Sequence, residues 1–96
     1  MKKILHLTLK KEWFDLIASG KKKVEYREVK RHWVHRLLHA GLAVRMFDEV
    51  HFRNGYNNGS PFMRVEWKDM NYEMYDGKKC FAIKLGKVLE IRNWKK

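Results

Sequence analysis

Residues 3–29 read KILHLTLKKEWFDLIASGKKKVEYREV, and the hydrophobic period changes twice within them. Over residues 3–9 the pattern alternates, with Leu5, Leu7 and Leu9 on one side and Ile4, His6 and Thr8 on the other, as a half-buried strand requires. Over 11–19 the period lengthens. Trp13, Phe14, Leu16 and Ile17 then share one helical face, and Lys11, Glu12, Asp15 and Ser19 share the opposite one. Gly20 follows the last periodic residue, where a left-handed conformation closes a helix, and Lys21, Lys22 and Lys23 complement the helix dipole. Alternation returns over 23–29 and predicts a second strand. Val24 and Tyr26 lie on one of its faces, and Glu25 and Arg27 project together from the other.

Working outward, residues 31–40 have helical spacing: Trp33, Val34, Leu37 and Leu38 form one stripe, with His32, His35, Arg36 and His39 opposite and Gly41 as the stop. Strands are predicted over 46–54 and 62–69. Between them Gly55, Asn57, Asn58, Gly59, Ser60 and Pro61 supply turn chemistry, so the two read as a hairpin. A last strand runs over 79–85, with Phe81, Ile83 and Leu85 pointing one way, and resumes after Gly86 over 88–92, which implies a bulge or bend. Five to six mostly antiparallel strands with two short helices near the front fit an α+β barrel better than a layered parallel sheet. At 96 residues the whole chain, 1–96, reads as one domain with one core, without internal repeats or low-complexity tracts.

Lys and Arg number 22 against 11 for Asp and Glu, a formal charge of +11. So strong a field on so small a chain calls for a polyanionic partner. Nucleic acid comes first because neutralised phosphates release counterions, and an anionic membrane surface is the competitor. Cys80 is the only cysteine, which excludes an intramolecular disulfide, a zinc ribbon and a CxxC redox pair, and favours a reducing compartment. Met1-Lys2-Lys3 followed by the apolar run 4–9 imitates a secretion signal, but Lys10, Lys11 and Glu12 interrupt it too early. No apolar run approaches the roughly 20 residues that span a bilayer. The expectation is a cytoplasmic, monomeric protein with no membrane association.

Residues 20–27, Gly-Lys-Lys-Lys-Val-Glu-Tyr-Arg, match the pattern Gly-x-Lys-x-x-Glu-x-Arg at every fixed position. With the strand and helix before it, this segment resembles the opening of the ASCH domain, a member of the PUA-like superfamily. The resemblance covers roughly residues 4–30. The run Phe52-Arg53-Asn54-Gly55-Tyr56 also resembles a segment of some small ASCH proteins. The resemblance implies a small β-barrel with a cleft beside the first helix, lined by Lys22, Glu25 and Arg27 and receiving RNA or a nucleotide.

The chemistry of these residues agrees with that expectation. Lys22 sits in the turn leaving the helix, free of strand alternation, so its ammonium can swing toward the face of Glu25 and Arg27. An acid flanked by two bases results, and Arg27 offers a planar fork suited to phosphate. As a binding module the cleft would use Lys22, Tyr26 and Arg27, with Arg53, Asn54 and Tyr56 as a far lip; whether the domain is also an enzyme stays open. In a small metal-independent hydrolase, Glu25 would be general base on a water or a ribose 2′-hydroxyl, with Lys22 and Arg27 stabilising charge on phosphate. That would be a ribonuclease. ASCH relatives that hydrolyse the amide of acetylated cytidine carry a threonine at the position of Glu25, a departure that removes the nucleophile expected for such an amidohydrolase. The alternative to any functional cleft is a solvated ion-pair network.

Tyr26, Tyr56, Tyr72 and Tyr75 interleave with basic residues, as stacking platforms for single-stranded bases do. Trp13, Trp33 and Trp67 fall on apolar faces and read as core, while Trp94 is left unassigned. For Arg53, Asn54 and Tyr56 the competing reading is turn chemistry around Asn54-Gly55. Glu66, between Arg64 and Lys68, reads as a solvated strand face. His32, His35 and His39 share a predicted helical face and Cys80 could be a fourth ligand, but nothing else in the chain has metal-ligand spacing, so no metal or cofactor is expected and the face reads as basic.

Overall fold

The computed structural model describes residues 1–95. Strand β1 (Ile4–Thr8) and helix α1 (Lys11–Ala18) form where the two periods predict them. Leu5 and Leu7 are buried while His6 and Thr8 are exposed, and α1 buries Phe14 and Ile17. Gly20 closes the helix with φ 81°. Its N–H donates to the Ile17 carbonyl, and those of Lys21 and Lys22 both donate to the Leu16 carbonyl. The first link from sequence to site lies here, because Lys22 leaves the helix from a backbone tied down on both sides. Strand β2 (Val24–Glu28) follows at once.

Helix α2 (Arg31–Leu37) is shorter than the 31–40 its spacing predicts. Leu38 is extended, and β3 (Leu38–His39) pairs with β4 (Ala43–Val44) around Ala40 and Gly41, both at positive φ. Arg45 causes the early stop: its N–H takes the Leu37 carbonyl and its Nε the Leu38 carbonyl, which a longer helix would need. His39 therefore leaves the helix, and the three-histidine face does not form. Strand β5 (Glu49–Arg53) likewise starts later than the predicted 46–54, because Asp48 is engaged across the chain, exchanging hydrogen bonds with the Lys3 backbone.

Two long strands, β6 (Phe62–Tyr75) and β7 (Lys78–Arg92), make the centre of the sheet. They join at Asp76 and Gly77, φ 52° and 74°, a mirror-image turn whose twist matches that of paired strands. The interruption foreseen at Gly86 is a bulge in a continuous strand. Register shifts fall between Arg64 and Asp69, and the space a side chain at 86 would need is filled by Glu66 and Lys68. Bulges bend and twist a ladder, which curls this sheet.

The sheet order is β1-β5-β6-β7-β2, with β1 parallel to β5 and every other pair antiparallel. Leu5, Leu7, Val50, Phe52, Met63, Val65, Phe81 and Ile83 line one face of it and pack with Phe14 and Ile17 of α1 and Leu37 of α2. Each such side chain contributes on the order of 1.5–3 kcal/mol by burial. The architecture is thus α+β, with two helices and a mostly antiparallel five-stranded sheet. Strands β1 and β2 are its two edges, and among the described residues no ladder joins them, so hydrogen bonding does not close a barrel. One side chain spans the seam: Arg27 on β2 donates through Nη2 to the Thr8 carbonyl on β1 at 3.1 Å.

Candidate functional site

The motif residues meet at this seam. Alternation along β2 sends Glu25 and Arg27 to the same side, and Lys22 reaches them from the helix end. Lys22 Nζ lies 3.0 Å from Glu25 Oε1, while Arg27 approaches Oε2 through Nε at 3.1 Å and Nη2 at 2.8 Å. Both carboxylate oxygens are engaged, and Glu25 is 5% exposed. Two tryptophans hold the cations. The Lys22 ammonium sits 4.4 Å from the centre of the Trp13 ring, and the guanidinium groups of Arg27 and Arg36 lie 4.9 and 5.0 Å from that of Trp33. Such contacts restrict long basic side chains to one direction.

A hollow of about 330 Å³ opens along the seam, with Thr8, Leu9, Lys10 and Trp13 on one side and Glu25, Tyr26, Arg27 and Glu28 on the other. A second, about 130 Å³, lies behind Glu25, between Trp13, Lys22, Tyr26 and Tyr75. Tyr26 stacks on Tyr75 at 4.1 Å, and its hydroxyl donates to Glu73 at 3.4 Å. Burial, reinforced by the Glu73 carboxylate, pushes the Tyr26 hydroxyl up from its ordinary value, so it remains a phenol and a donor at neutral pH.

Of the predicted site residues, Lys22, Glu25, Tyr26 and Arg27 come together; Arg53, Asn54 and Tyr56 do not line either hollow. Thr8, Leu9 and Lys10 form the facing lip instead. Asn54 performs turn chemistry, donating its side-chain amide to the Leu9 carbonyl and its backbone N–H to the Pro61 carbonyl. Tyr56 is exposed, and the Arg53 guanidinium lies over the Phe62 ring. Tyr72 lies against Phe81, with the Lys79 ammonium over its ring. Only Trp67 of the three tryptophans read as core is fully enclosed; Trp13 and Trp33 are half-buried, with one face given to cations. Trp94 donates through Nε1 to Asp15 at 3.0 Å, and Glu66 accepts the Lys87 backbone N–H. A hollow of about 530 Å³, larger than that at the seam, lies along α1 between Glu12, Asp15, Ser19, Lys21 and Trp94. Two carboxylates against one lysine suit an anion less well than the seam does.

Sequence reasoning missed a second buried acid. Glu49, 4% exposed, meets Lys2 at 2.7 Å, His51 at 3.0 Å and Arg64 at 3.5 Å. Alternation over residues 49–53 groups Glu49 with His51 and Arg53 opposite Val50 and Phe52, but the burial of Glu49 depends on Lys2 and Arg64 from outside the strand. The Lys2 hydrogen bond, followed by that from His51, lowers the Glu49 carboxyl from 4.5 to about 2. Because the folded value lies below the unfolded one, this contribution to stability is complete above about pH 4.5 and is lost as pH falls toward about 2. Urea midpoints measured across that window should fall for the native chain and change less steeply for Glu49→Gln. Equal slopes would show that the ion pairs around Glu49 carry no net stability.

Compared with models of known families, with curated proteins and with solved structures, the chain matches none.

Proposed function

We propose that this protein binds RNA or an RNA-derived nucleotide at the seam between β1 and β2, as an ASCH-type domain on a PUA-like barrel opened along that seam. The observation that carries the reading is the convergence of Lys22, Glu25 and Arg27, the complete motif, beside a hollow of about 330 Å³ with Trp13 and Tyr26 in its wall. Arg27 and Lys10 supply phosphate donors, and the aromatic walls suit a base. The formal charge of +11 draws the polyanion in. A curled sheet whose edges approach within one arginine side chain is consistent with the barrel.

The bound state of Glu25 favours a binding module over an enzyme. A carboxylate whose two oxygens already accept from Lys22 and Arg27 acts as a counter-ion that orients both cations. Three of its roughly four acceptor positions are taken by those cations, which lowers its basicity as a general base. A hydrolase is the second reading, because the same carboxylate stands between two hollows and can meet a substrate from either. Among the described residues no helix is long and apolar enough to cross a membrane, and Cys80 is buried with a free thiol, which suits a cytoplasmic location.

The deciding experiment titrates uridine monophosphate and a short single-stranded oligoribonucleotide into the protein at low salt, observing amide and side-chain resonances. Those of Lys22, Tyr26 and Arg27 should move first. Glu25→Gln should retain or strengthen phosphate binding in a binding module, whereas a hydrolase using the carboxylate would lose all turnover. If the seam resonances stay still while others shift, the proposed site is wrong.

A further inference from the structure

Phe62 is 4% exposed yet stands outside the core cluster. Its neighbour Met63 points inward, so Phe62 faces the outer side of the sheet, where a phenylalanine should not be covered. What covers it is charge. The Arg53 and Arg92 guanidinium groups lie 4.6 and 4.3 Å from its ring centre, and the His51 ring meets it edge-on at 5.3 Å.

The register explains the arrangement. Thr8 pairs with Arg53, Arg53 with Phe62 and Phe62 with Arg92, so these side chains form one straight row across β1, β5, β6 and β7. With strands about 4.8 Å apart, the row spans about 14 Å. It begins at the seam, because Thr8 lines the seam hollow and its carbonyl receives Arg27. The next row runs His6, His51, Arg64, Glu90. Together the two rows carry three guanidinium groups against one carboxylate, and Glu49, next on the same face of β5, takes His51 and Arg64 but not Arg53 or Arg92. Arg53 has no carboxylate within ion-pair distance among the described residues, whereas Glu90 is held by Arg64 at 3.1 Å and Arg92 at 2.9 Å. Burial first, then the charges of His51, Arg53 and Arg36, lowers the pKa of His6, in keeping with a positive field over this face.

We infer that the Arg53–Phe62–Arg92 row is a second phosphate-binding surface, along which a single RNA strand continues from the nucleotide held at the seam. This rests on the reading of the seam as an RNA site. Phe62 works here as a post: stacking on its ring restricts two flexible arginines, and a restricted guanidinium loses less freedom on meeting phosphate. A row one residue wide, continuous through Thr8 with a hollow of about 330 Å³, fits a single strand. A lipid surface fits poorly, since the covered Phe62 leaves no apolar side chain to insert.

The test measures octauridylate and uridine monophosphate binding by fluorescence anisotropy and competition across a salt series. Arg53→Gln/Arg92→Gln should weaken octauridylate about tenfold and flatten the plot of log affinity against log salt by about 1.4, which is two lost contacts at about 0.7 each. Uridine monophosphate binding should not change, since neither arginine lines the seam hollow. Because the pair also shields Phe62, each single variant is measured too and should remove about half of that slope, about 0.7. An unchanged octauridylate affinity and slope in both singles and the double would overturn the inference. So would loss of phosphatidylserine vesicle binding in the double variant while octauridylate binding is untouched. If Arg27→Ala spares both ligands while the double variant loses octauridylate, the row stands and the seam reading fails; if no RNA binds at low salt, both fail.

Discussion

Glu25→Ala should lower the unfolding free energy by about 2–3 kcal/mol, less than a fully buried pair would because its partners keep some solvent. The Lys22 and Arg27 side chains are 19% and 18% exposed, against 7% for Glu25. Removing the carboxylate leaves two half-buried cations facing each other with nothing between them. For a chain of this size the loss corresponds to a melting temperature lower by about 10 °C or more. Glu25→Gln keeps the volume and one acceptor oxygen, so it should cost roughly half as much. Thermal denaturation followed by circular dichroism measures both. A change in Glu25→Ala within the scatter of ordinary surface substitutions would mean that the triad is solvated and its geometry incidental.

Arg27→Ala should have the larger effect on binding. Losing a forked, charge-assisted donor removes about 1.5–3 kcal/mol of phosphate affinity, or about 10- to 150-fold in dissociation constant. The same change removes the one side-chain bond between the edge strands among the described residues, and the contact with Trp33. Hydrogen exchange should therefore quicken at Thr8 and along β2 without global unfolding. Arg27→Lys separates charge from geometry: it keeps the positive charge but not the planar fork, and should recover only part of the affinity. Full recovery would mean that the site senses charge alone. Isothermal titration of uridine monophosphate into the three proteins distinguishes these outcomes.

The candidate site was half readable before the fold was known. That Glu25 and Arg27 share a side follows from a period of two over 23–29, and that Lys22 joins them follows from the helix ending at Gly20. The facing lip was not readable. Thr8, Leu9 and Lys10 carry no motif, and only the curl of the sheet brings them opposite β2. Arg53 was read as part of a cleft lip because it stands beside the hairpin tip; pairing with Thr8 and Phe62 puts it on the outer face of the sheet. The far half of the hairpin escaped for a related reason. Residues 71–75 are polar or exposed and lose alternation, so only the ladder with β7 shows that they are strand.

By itself the sequence determined the first strand, the first helix and its stop, the shared face of Glu25 and Arg27, and the excess of positive charge. These depend on side chains within a few residues of each other, and local period and capping decide them. Tertiary structure alone decided where α2 ends, how far β6 and β7 extend, and that the two sheet edges approach each other across the motif. Those outcomes turn on pairings between residues far apart in the chain, such as Arg27 with Thr8 and Arg53 with Phe62. No local pattern encodes them, because bulges and packing set the curvature that brings such partners together.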